Sequence, residues 1–91
     1  MRVPEAGLDL QKQVVSFVQS LREKNLYKAP GIAETIDWAQ ALVELNCVAL
    51  DPQTVDSTMG VLLKYQDDIE SMDAKTTHGL IQKAFTEASL I

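Results

Sequence analysis

The segment Ile32–Asn46 limits the folds open to this chain more than any other. Its apolar residues recur at helical spacing. At about 100° per residue, Ile32, Ile36, Ala39 and Val43 form one edge of an apolar arc, and Trp38, Leu42 and Leu45 form the other. Glu34, Asp37, Gln40 and Glu44 fill the remaining polar arc. An apolar arc approaching half the circumference must touch more than one neighbour. The spacing therefore predicts a central core helix over residues 32–46. Pro30-Gly31 introduces it, and the only tryptophan of the chain packs inside it.

The flanking segments also read as helices. Leu10, Val14, Phe17, Val18 and Leu21 share one stripe, with Gln11, Lys12, Ser16, Gln19, Arg22 and Glu23 off it, so a first helix is expected over about residues 8–24. Arg22 and Lys24 suit the negative pole at its end. Leu26 and Tyr27 are apolar residues in the following loop and are expected to pack on the core. Asp51-Pro52 combines an N-cap residue with a proline at the first helical position. Val55, Met59 and Leu62 then share a face, with Leu63 beside it. Ile69 lies on the same stripe, which fits both a helix running to about Glu70 and a break near Lys64-Tyr65. A last helix opens at Asp73 or Thr76 and carries Ile81, Ala84, Phe85 and Ala88 inward. No segment alternates apolar and polar residues as a strand would. The expectation is an all-α domain of four helices.

At 91 residues a single domain with a small core is the expectation. A hydrophobic fraction of 46% sets the chain apart from disordered sequences. The net charge is −5 and the basic residues are scattered, which argues against nucleic acid and against an anionic membrane surface. No apolar run reaches membrane-spanning length and no signal peptide is visible. Cys47 is the single cysteine, so a disulfide framework and a thiolate metal cage are both excluded, and a cytoplasmic setting is the simplest fit. Cys47 itself reads as a small apolar residue near a helix end.

Enzyme constellations are missing from this chain. A histidine-based triad or zinc site needs several ligands, and His78 is the only histidine. His78 reads as a surface or capping residue. The four glycines form neither GxxxxGK[ST] nor GxGxxG. Asp67, Asp68 and Glu70 form an acidic cluster, which in an acidic chain reads as a solvated face rather than a metal site. Glu34 and Asp37 lie three apart at the start of their helix, where the positive pole offsets their mutual repulsion.

Three phrases carry a family resemblance: VPEAGL at residues 3–8, LYKAPGIAETIDWAQAL at 26–42 and VLLKYQDDI at 61–69. Over residues 2–70 the chain resembles the C-terminal helical lid of MoxR-type AAA+ ATPases, in the branch associated with maturation of carbon monoxide dehydrogenase. Residues 71–91 would be an additional C-terminal helix. The resemblance implies a small four-helix bundle-like lid, and a chain that is a fragment of a longer ATPase. An N-terminal P-loop core, absent here, would bind ATP and Mg2+, and the nucleotide would lie between core and lid. The chain alone would then be no enzyme. Its parent would be a chaperone-like remodelling ATPase, a homo-oligomer working with a von Willebrand factor A domain protein.

The implied nucleotide-facing edge is Pro30, Gly31, Ile32, Ala33, Glu34 and Asp37. Most lids of this superfamily place a sensor arginine at the start of that helix, yet no arginine follows Arg22 here. Either Lys28 or Lys64 is its substitute cation, or this branch senses nucleotide without a lid cation. Glu34 would repel phosphate, which suggests that it holds the lid against the core or pairs with a basic partner. No metal site is implied. The alternative reading is a free-standing acidic helical module for protein interaction. A lid separated from its core is expected to leave apolar surface open around Leu26, Tyr27 and Ile32.

Overall fold

A computed structural model describes residues 7–89. The first four residues of the VPEAGL phrase, and the last two residues of the chain, lie outside the described residues. The described residues form α1 (Leu8–Arg22), α2 (Ile32–Glu44), α3 (Pro52–Leu62), α4 (Gln66–Glu70) and α5 (Ala74–Ser89). There is no strand among them, and the fold is all-α.

The four long helices close into a ring. α1 packs on α2 and α5, and α3 packs on the same two helices from the other side. The core they enclose includes Phe17, Trp38, Leu42, Val55, Met59, Leu62 and Ile81. Phe17 and Trp38 meet with ring centroids 5.2 Å apart, tilted by 40°. The indole Nε1–H of Trp38 donates to Thr58 Oγ1 at 2.7 Å, and that hydroxyl donates onward to the Thr54 carbonyl at 2.8 Å. The buried indole therefore has its polar atom satisfied, and Trp38 is a packing residue.

The expectation of a single central helix changes. Each long helix has two partners, and α1 is the most deeply enclosed. Gln13, Ser16 and Ser20 of α1 are buried along with its apolar stripe. Gln13 is buried because its side-chain oxygen accepts the Leu50 N–H at 2.9 Å, tying the α2–α3 connection to α1. Ser16, expected off the stripe, donates to the Glu87 carboxylate of α5.

α2 stops two residues short of the expected end. Asn46 adopts φ 59°, a left-handed turn that asparagine tolerates better than most residues. The Asn46 N–H then bonds the Val43 carbonyl at 2.9 Å and the Cys47 N–H bonds the Leu42 carbonyl at 2.9 Å. These two bonds make a Schellman stop, which satisfies the last carbonyls of the helix.

Of the two readings left open for α3, the structure takes the break. Another turn of helix would carry Gln66, four residues beyond Leu62, onto the buried stripe. Instead Leu63 extends at φ −111° and ψ 130°, which turns its own side chain into the core and leaves Gln66 exposed. The short α4 follows, so the described residues form five helices where four were expected. α5 begins where Asp73 accepts the Thr76 N–H at 2.7 Å, so Asp73 is the residue that opens it.

Candidate functional site

The loop from α1 to α2 is held at three points. Arg22 Nε–H donates to the Pro30 carbonyl at 3.1 Å. The Tyr27 N–H donates to Asp68 Oδ1 at 2.9 Å, and the Lys28 N–H donates to Asp68 Oδ2 at 3.1 Å. Asp68 is only 3% exposed. The solvated-face reading of the acidic cluster therefore fails at Asp68. Both of its oxygens are occupied by main chain some forty residues away, which is why it tolerates burial. Asp67 and Glu70 remain exposed.

This clamp sets the place of Tyr27. The ring is 75% exposed and so does not pack into the core, contrary to expectation, whereas Leu26 does pack against it. Tyr27 lies instead against Tyr65, with ring centroids 6.0 Å apart, and the two rings line a shallow hollow with Gln66 and Asp67.

The residues of the expected edge are brought together only in part. Pro30 is buried, and its carbonyl is engaged by Arg22. Gly31 is the residue before the first turn of α2. Ile32 is 74% exposed, and Ala33 and Asp37 are exposed beside it. Glu34 turns back on its own helix, where its Oε1 accepts the Gly31 N–H at 3.0 Å. That bond is the main cause holding the Glu34 carboxyl below its ordinary pKa, with Lys28 and Lys64 adding electrostatic support. Glu34 thus caps the start of α2 rather than reaching outward, in keeping with the sequence reading of Glu34 as a partner of the helix pole, whereas Asp37 lies beyond the first turn. A side chain at position 31 would stand 3.2 Å from that carboxylate oxygen, so glycine gives the cap its room.

Lys28 and Lys64 are both exposed, and both act on Glu34, so the two candidate cations stand at the same end of α2. The first-turn N–H groups of a helix point toward this end. The edge offers two lysines, a helix N-terminus and a pair of tyrosine rings. It offers no nucleophile with a base, since Cys47 follows the opposite end of α2 and His78 is an exposed residue of α5. The Cys47 thiol donates to the Ala49 carbonyl at 2.9 Å, and burial followed by the nearby Asp51 charge raises its pKa, which leaves it a poor nucleophile. Among the described residues no group of three or more His, Cys, Asp or Glu could hold a metal ion. No described helix is long and apolar enough to cross a membrane.

Asp68 was the residue least visible to sequence reasoning. Its partners are main-chain groups of a distant loop, and no local pattern announces them. Tyr65 was equally hidden, because its role depends on the break after Leu62.

Three helix starts share one electrostatic device. Asp51 accepts the Thr54 N–H at 2.9 Å, Asp73 accepts that of Thr76, and Glu34 accepts that of Gly31. All three carboxyls are held below their ordinary pKa, chiefly by these main-chain bonds. A depressed folded pKa means that the stabilisation is present above the ordinary carboxylate range and is lost as pH falls through the folded values. Thermal melts from neutral pH downward are expected to show stability falling across and below the carboxylate range. Asp51→Asn is expected to flatten that dependence. A melt profile unchanged by the substitution would refute the assignment at Asp51.

The fold defines a small all-α domain. Comparison with known proteins matches the chain to no protein-family model, no curated protein and no solved structure.

Proposed function

We propose that this domain is the C-terminal lid of a MoxR-type AAA+ ATPase, and that it closes over nucleotide held by an N-terminal P-loop core. One observation carries the proposal. The two described phrases on which the resemblance rests, residues 26–42 and 61–69, are far apart in sequence but meet at a single edge through Asp68, the tyrosine pair and the two lysines. A lid needs such an edge, because it contributes to a site only by presenting groups toward the core across a hinge.

In this reading Lys28 and Lys64 take the part of the missing arginine and face the nucleotide phosphates, beside the first turn of α2. ATP and Mg2+ belong to the core. Oligomerisation, a von Willebrand factor A domain partner and a cytoplasmic, chaperone-like role in metal-enzyme maturation belong to the parent protein. In that parent, Lys28→Ala combined with Lys64→Ala is expected to raise the KM for ATP by about three- to tenfold, the range for two solvent-exposed charges acting on one ligand. Nucleotide titration of ATPase turnover reads this directly. An unchanged KM would remove the lysines from the nucleotide site.

The exposed residues Leu8, Val15 and Ile32 favour a second reading, a free-standing interaction module. The two readings part over the upstream reading frame.

A further inference from the structure

The chain has two tyrosines, and the fold sets them against each other. Tyr27 lies in the α1–α2 loop, where its N–H is held by Asp68 Oδ1 at 2.9 Å. Tyr65 is the residue before α4, and its carbonyl accepts the Ile69 N–H at 3.1 Å. Each ring is therefore carried on hydrogen-bonded main chain. The rings meet with centroids 6.0 Å apart at a tilt of 48°, within the contact range of aromatic pairs. Neither is sheltered, since Tyr27 is 75% exposed and Tyr65 53%. Other oxidisable side chains are withdrawn. Among the described residues Trp38, Met59 and Met72 are buried, and Cys47 is partly buried beyond the opposite end of α2. What the described surface offers a one-electron oxidant is a pair of phenols already in contact.

We propose that Tyr27 and Tyr65 are a modification site, joined as a dityrosine when the protein meets a one-electron oxidant such as ferryl haem. Each ring gives one electron to the oxidant and its phenol proton to solvent. The Asp67 carboxylate lines the same hollow and offers an acceptor for those protons. The two phenoxyl radicals couple through ring carbons ortho to oxygen. The hydrogen on each of those carbons then moves to the phenoxyl oxygen, which restores both phenols. In sum one C–C bond forms and two C–H bonds break, and two electrons pass to the oxidant and two protons to solvent. Coupling within the chain outruns coupling between chains because the partner ring is already at hand. The product is a covalent tie between the α1–α2 loop and the start of α4, at the place where Asp68 alone now joins them through hydrogen bonds. Lys28 and Lys64 adjoin the two rings in sequence, so the tie also fixes the main chain that carries both lysines.

The cross-link rests on the tyrosine pair and not on the lid reading. The 91-residue chain, photo-oxidised with ruthenium tris-bipyridyl and persulfate, tests it. The expected product is a monomer lighter by two hydrogens, with dityrosine fluorescence. Trypsin is expected to release it as one species that joins residues 25–28 to residues 65–75. At about 10 μM chain the linked monomer is expected to exceed linked dimer by about tenfold or more, because even a flexible tether supplies the second ring at an effective concentration in the mM range. In urea the rate of linkage within the chain is expected to fall by about tenfold or more, since the folded contact is lost while the tether remains. Tyr27→Phe and Tyr65→Phe, both at exposed positions, are expected to keep the thermal melt and lose the linked monomer. Tyrosines oxidised without the joined peptide would overturn the proposal. So would chains linked only to one another, or a rate of linkage within the chain that urea leaves unchanged.

Discussion

Trp38→Ala is expected to leave the domain barely folded. A chain of 91 residues has about 5–14 kcal/mol of stability in all, and truncating a fully buried aromatic residue costs about 3–5 kcal/mol. Trp38 has no exposed surface and sits at the junction of α1, α2 and α3, against Phe17 and Thr58. The cavity would open where three helices meet, and the Thr58 hydroxyl would lose its donor. For a domain of this size the melting temperature is expected to fall by at least about 12 °C. Trp38→Phe separates the two contributions. It keeps a ring against Phe17 and loses the indole N–H, and a smaller loss of about 1–2 kcal/mol is expected. A melting temperature unchanged in Trp38→Ala would mean that the core is not organised around this ring.

The second large effect is expected at Asp68. Asp68→Ala removes two charge-assisted bonds and leaves the Tyr27 and Lys28 N–H groups without their acceptor, at a cost of about 2–4 kcal/mol. Nothing in the core is emptied, so the change has a local signature that a cavity lacks. Amide hydrogen exchange at Tyr27 and Lys28 is expected to accelerate, and the Tyr27–Tyr65 contact to loosen, while the α2–α3 interface keeps its protection. Asp68→Asn retains one side-chain acceptor and is expected to fall between the two. Equal exchange rates in Asp68→Ala and the parent sequence would show that the loop is held by something other than this carboxylate.

The contrast between these two residues explains how much of the molecule was legible from sequence. Trp38 was legible because helical periodicity is a local property, and an arc as wide as that of α2 has few uses other than burial. Asp51-Pro52 was legible for a similar reason, since cap and proline act within one turn. Asp68 looked like one acid among several, because its environment is set by chain folded back from forty residues earlier. The break after Leu62 was undecided for the same cause. The stripe through Ile69 was compatible with one long helix, and only the packing of Leu63 against exposure of Gln66 decides between the two paths.

The edge was half legible. The Pro-Gly pair marks the start of α2 within a few residues, so that helix boundary is legible locally. The structure adds that Lys28 and Lys64 act on Glu34, and that Glu34 is occupied in capping its own helix. Acidity at this position is therefore accounted for without a partner. Tyr27 could not be read from composition, because a tyrosine in a loop fits the core as well as it fits a surface pair.

The lid reading is tested most directly by determining the reading frame upstream of Met1 at the gene. The account predicts that the frame continues into an α/β ATPase core carrying GxxxxGK[ST], the loop that cradles nucleotide phosphates. An in-frame stop codon immediately before Met1, leaving a free-standing protein of 91 residues, would contradict it.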